Sequence, residues 1–146
     1  MRQRILEIVQ QSAEAAKQGR EYLIVDGARM RRSIPLRRRN NCAGFIVAVY
    51  EAALGLVPGC WAFHVGPAQA MEKRLKWAGK EIPAEKRQPG DLVFFRRGDQ
   101  CHVAIYMGRD DRGGDLIGHA NRGHVCIQPM GALQYFASGW YRVVPA

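Results

Sequence analysis

The chain has 146 residues, 47% hydrophobic and 24% charged, with a net charge of +9. That length and balance suit one globular domain with its own core and exclude a disordered or fibrous chain. No apolar run approaches the ~18–20 residues of a membrane span, and residues 1–17 lack the apolar core and cleavage site of a secretory signal. The basic excess is uneven. Residues 1–40 hold ten Lys/Arg against four Asp/Glu. An anionic partner or a solvated face satisfies that charge equally well.

The elements follow in chain order. Ile5, Ile8, Val9, Ser12 and Ala16 fall on one stripe at helical spacing, so a helix is expected over 5–16, stopped by Gly19. Tyr22 to Val25 reads as a short extended piece. Arg29 to Arg39 is basic, contains Pro35 and reads as a loop. A second helix is expected after Asn40 or Asn41, since Asn is a favoured N-cap. Cys42, Phe45, Ile46, Val49 and Ala53 form its apolar face, and Gly55 marks its end. Pro67 suits the first turn of a third helix that carries Ala68, Met71, Leu75 and Ala78 inward and ends at Gly79.

After Pro89-Gly90 the pattern changes to short strands with polar turns. They are expected at Asp91–Phe95, His102–Met107, Leu116–Ala120, His124–Gln128 and Trp140–Val144. Helices first and strands later predict a single α+β domain. Its basic lead-in covers 1–40, two helices lie in 41–79, and an antiparallel sheet of five or six strands fills 89–146.

Four cysteines, Cys42, Cys60, Cys101 and Cys126, show no C-x-x-C pair and are expected as free thiols. Cys42 stands out. The first turn of a helix offers outward N–H groups and a positive dipole end, which favour a thiolate. Gly44 is poor helix filler and suggests close approach to the backbone there. The competing reading of Cys42 is a buried core residue. A thiolate nucleophile needs a base and an orienting group. Paired antiparallel, the strands at 102–107 and 115–120 bring His102 and His119 together and supply both. His64 is the reserve base, and His124 reads as a surface residue. A zinc site from Cys101, His102, His119, His124 and Cys126 matches no familiar spacing, and no metal is expected.

Asn41-Cys42-Ala43-Gly44-Phe45 with Val49-Tyr50 resembles the D-C-S-G-F…V-Y segment of the NlpC-type cell-wall cysteine peptidases. Pro89-Gly90-Asp91-Leu92-Val93-Phe94-Phe95 resembles their P-G-D-L-V-F-F strand, and His102-Val103-Ala104-Ile105-Tyr106-Met107-Gly108 their H-V-G-I-Y-x-G. His119-Ala120 with Gly123-His124-Val125 resembles their H-A…G-V element. The resemblance implies a papain-like α+β fold and hydrolysis of an amide in the peptide stem of peptidoglycan, commonly the D-γ-glutamyl–meso-diaminopimelate bond. It implies Cys42 as nucleophile, His102 as general base and His119 as orienter, with no cofactor. Tyr22, Asn41, Ala43 and Gly44 fall at substrate-binding positions, with Asn41 and Ala43 replacing the usual Asp and Ser. A lone domain of this kind resembles phage tail-associated or secreted-effector versions that reach the wall by a delivery machine or after lysis.

Two other classes stay open at this stage. One is an acyltransferase, a deamidase or an inactive tail component on the same fold. The other is an anionic-polymer binder built on Arg29, Arg31, Arg32, Arg37, Arg38 and Arg39. No nucleic-acid module accompanies those arginines, so no nucleic-acid partner is expected.

Overall fold

A computed structural model describes residues 1–20, 23–29, 42–54, 67–121 and 124–144. Helix α1 spans Arg2–Lys17, three residues longer at its start than the apolar stripe indicates. Ile5, Ile8, Val9, Ser12 and Ala16 are all buried. Gly19 takes a φ of +80°, and the N–H groups of Gly19 and Arg20 return to the carbonyls of Ala16 and Ala15. This is a Schellman ending, which Gly allows because it has no Cβ to clash. Ser12, polar and fully buried, accepts the Ile24 N–H at 2.9 Å and so holds the hairpin of β1 (Ile24–Val25) and β2 (Ala28–Arg29) against α1.

Helix α2 spans Cys42–Leu54. Its buried set is wider than the one face expected, because Ala43, Ala48 and Tyr50 are enclosed as well. A helix packed on a sheet and flanked by another helix is apolar over most of its circumference. Helix α3 spans Ala68–Trp77, with Pro67 as its N-cap rather than its first helical residue. It ends as α1 does, with Gly79 at φ +73° and the Lys80 N–H on the Leu75 carbonyl.

The main sheet has six antiparallel strands: β3 (Glu81–Ile82), β4 (Leu92–Arg97), β5 (Gln100–Arg109), β6 (Asp115–Asn121), β7 (His124–Pro129) and β8 (Ala137–Tyr141). They lie in the order β3-β8-β4-β5-β6-β7. Strands β4 to β7 form a meander. The last strand then returns to the far side of β4, and β3 pairs beyond it. Strand β8 starts and ends about three residues before the expected Trp140–Val144. Val143 and Val144 are buried although the last paired residue is Tyr141 and the last backbone bond runs from the Arg142 N–H to the Lys80 carbonyl, so apolar burial there outlasts strand pairing. Strand β3 and the 3-10 turns at Ala84–Lys86 and Gly131–Phe136 have no periodicity long enough to read.

Both faces of the sheet are covered. Leu92, Phe94, Val103, Ile105, Ala120 and Val125 join the helices in the main core. Val93, Phe95, Ala104, Tyr106, Ile117 and Trp140 form a second core with Met130. Double coverage explains why Leu92 to Phe95 is an unbroken apolar run rather than an alternation.

Two buried carboxylates tie these layers together. Asp91, fully enclosed, accepts from Arg2 at 3.1 Å, from Arg142 at 3.2 and 3.0 Å, and from the Gln88 N–H at 2.8 Å. Glu72 on α3 accepts from Arg96 of β4 at 2.8 Å and from Ser138 and Tyr141 of β8 at 2.9 and 3.0 Å. Gly118 of β6 lets α1 come close, since a Cβ there would stand 2.5 Å from a Val9 methyl carbon.

Candidate active site

The tight Gly98-Asp99 turn joins β4 to β5 and sets His102 opposite Phe95, whose ring stacks on the imidazole at a centroid distance of 6.3 Å. His119 lies near the end of β6, the neighbouring strand. The hairpin brings the two rings together edge to face, and His102 Nε2 lies 2.6 Å from His119 Nδ1. The contact between His102 and His119 expected from strand pairing is therefore present. One of the two nitrogens donates and the other accepts, so a single proton sits between them.

Burial governs how both rings titrate. It pushes His102 down to about 4, and the neighbouring His119 adds to the shift. His119 is 2% exposed and is likewise lowered, chiefly by desolvation, with the Gln128 side chain acting in the opposite direction. Both imidazoles are neutral at pH 7.

Cys42 is the first residue of α2 and is 4% exposed. Its sulfur sits against the backbone N–H of Val103, the residue that follows His102, and near the N–H groups of Ala43 and Cys42 itself. These donors favour a thiolate, as expected for a helix N-terminus, but desolvation outweighs them and the thiol is raised above its ordinary value. The expectation of a lowered Cys42 pKa is thus corrected: the resting sulfur is a neutral thiol. The hydrogen-bonding groups that act on it are backbone N–H groups. Cys101, on the same side of β5 as Val103, is pushed up to about 11 by burial and by Glu72, with Arg96 opposing and Cys42 adding a smaller upward push.

The remaining candidates separate. Ala43 is 3% exposed and packed in the main core. Gly44 is half-buried. Tyr22, Asn41, Cys60 and His64 lie outside the described residues, as do Met30 to Arg39 of the expected basic loop, whereas Arg29, expected in that loop, pairs with Ile24 as part of β2. His124 opens β7 and is exposed, as expected of a surface residue. Among the described residues, no group of three or more His, Cys, Asp or Glu is arranged to hold a metal. Sequence reasoning weighed Cys126 only as a zinc ligand and passed over Gln128. Cys126 lies directly across from His119, and Gln128 follows it by two residues. The signal was available, since residues two apart on a strand share a face.

A search of curated proteins found no match. A family model does match: that of the NlpC/P60 family, over residues 27–143. That span takes in α2, α3 and the whole sheet, and an α+β papain-like fold is the architecture described above. The family is generally one of cell-wall cysteine peptidases, and with most of its length matched, this chain belongs to the NlpC/P60 family.

Proposed function

We propose that the protein hydrolyses an amide bond in the peptide stem of peptidoglycan, with Cys42 as nucleophile, His102 as general base and His119 as orienter. One observation carries the reading: a 2.6 Å imidazole pair whose first member directly precedes the residue holding the Cys42 sulfur. The D-γ-glutamyl–diaminopimelate bond is the proposed target.

The protonation states select a mechanism. The thiol and His102 both start neutral, so the base removes the proton as the sulfur attacks rather than beforehand. His102 Nε2 is engaged by His119, so Nδ1 serves as the base in the tautomer where His102 donates from Nε2. This step requires the sulfur to leave the Val103 N–H and reach that ring. The sulfur then forms a bond to the carbonyl carbon while its proton passes to His102. The developing oxyanion meets the N–H groups at the start of α2. Collapse of the adduct expels the amine, which takes the proton from His102. Water, with His102 again as base, resolves the acyl-enzyme.

Muropeptide mass spectrometry tests the proposal. Wild type is expected to split stem peptides, and Cys42→Ala and His102→Ala to leave them intact. A wild type that leaves stem peptides whole overturns the hydrolase reading. Products that lose ammonia, or that carry a new acyl partner, point instead to a deamidase or an acyltransferase.

A further inference from the structure

The second nitrogen of His119 is an orphan. Its Nε2 is buried and has no hydrogen-bond partner, on a ring that is almost wholly enclosed. A buried polar atom left this way is costly, so the atoms around it carry information. Cys126 stands directly opposite His119 in the β6–β7 ladder, and opposed residues share a face. Gln128, two residues on, shares that face and is half-buried. Its Oε1 accepts from the Cys126 thiol at 3.4 Å. The amide oxygen is thus anchored over the residue facing the imidazole, and a thiol is a weak donor to hold it.

We propose that Gln128 is a positioning residue whose side-chain carbonyl takes the His119 Nε2 proton and thereby selects which His102 nitrogen is basic. The chain of roles is forced by the 2.6 Å contact. With its proton on Nε2, His119 has only Nδ1 free to accept. His102 must then donate from Nε2, which leaves the His102 Nδ1 lone pair open to the cleft. With the opposite amide orientation every role reverses, and the His102 lone pair is consumed inside the pair. Gln128 also acts on the His119 titration, upward against burial, which puts its amide within reach of the ring. When His102 takes the Cys42 proton, the same acceptor chain supports the imidazolium. Gln128 acts through two rings and touches no substrate.

The catalytic consequence rests on the peptidase reading, but the tautomer does not, and the experiment separates them. Long-range 1H–15N correlation spectra of 15N-histidine-labelled protein report which nitrogen of each ring is protonated, without substrate. The wild type is expected to show His119 as the Nε2–H form. Gln128→Leu is expected to give a mixture of tautomers and to lower kcat/KM by roughly 10–100-fold, the range for partners that orient a histidine through its other nitrogen. Gln128→Glu, which still accepts that proton and adds a charge, is expected to keep the tautomer and raise the titration midpoints of both rings. An Nδ1–H His119 in wild type overturns the proposal, as does an unchanged tautomer in folded Gln128→Leu or an unmoved midpoint in Gln128→Glu. If Gln128→Leu does not fold, the wild-type spectrum and Gln128→Glu still decide. If wild type cleaves no stem peptide, the peptidase reading falls and the spectra still judge the relay.

Discussion

His102 and His119 are neutral at pH 7 because desolvation lowers both and no carboxylate appears among the causes that shift either ring. The linkage has a definite sign. An unfolded histidine titrates near 6.5, whereas folded His102 titrates near 4. The unfolded chain therefore binds more protons between those values, and stability present above pH 6.5 is lost as the pH falls toward 4. Discounted for the partial exposure of His102, the loss is about 2 kcal/mol. Urea unfolding at pH 7.5 and pH 4.5 measures it, with His102→Gln expected to flatten the difference. For activity the same shift keeps the base competent into mild acid, so the acid limb of kcat/KM is expected well below pH 6. The thiol makes a separate prediction. Raised and enclosed, Cys42 is expected to react with iodoacetamide at pH 7 more slowly than a free cysteine, as followed by mass spectrometry. Faster alkylation would mean a preformed thiolate. The helix start at Cys42 and the meeting of His102 with His119 were legible from an Asn cap and strand pairing, while their proposed roles rest on the family resemblance. The state of the sulfur was not, since a helix N-terminus is visible in a sequence and the desolvation that outweighs it is not.

The elements with regular spacing and a Gly stop, α1 and α3, were readable because periodicity and C-terminal chemistry agree. Glu72 was not. A glutamate within a helix ordinarily faces water, yet here it is 4% exposed and binds Arg96, Ser138 and Tyr141. Removing it strands a guanidinium and two hydroxyl donors. Glu72→Leu is expected to cost about 3 kcal/mol in denaturant unfolding and to loosen α3 from β4 and β8. Gly118 makes a complementary case. Gly118→Ala forces a methyl group into Val9, and the expected loss is about 1–3 kcal/mol. Val9→Ala in the same chain opens that space, so a double-mutant cycle should show favourable coupling. The position of β8 was misjudged because Tyr141, Val143 and Val144 are apolar whether or not they pair.

At the scale of the whole molecule, the family match begins at residue 27, after α1. Yet α1 supplies Ile5, Ile8 and Val9 to the main core and Arg2 to Asp91. A chain starting at residue 27 is expected to lose its cooperative thermal transition and bind a hydrophobic dye, because one sheet face and a buried carboxylate are uncovered together. The α+β class and the meander could be read from the chain; the return of β8 beside β4 could not, since pairing between distant segments leaves no local pattern. Asp91 has one more consequence. It is shared by Arg2 and Arg142, and Arg2 also donates to the Val144 carbonyl, which brings the start of α1 and the segment after β8 within one side chain of each other. A circular permutant that joins Val144 to Arg2 by a short glycine-serine bridge, and opens the backbone at Gly98-Asp99, needs no rearrangement of either core to close.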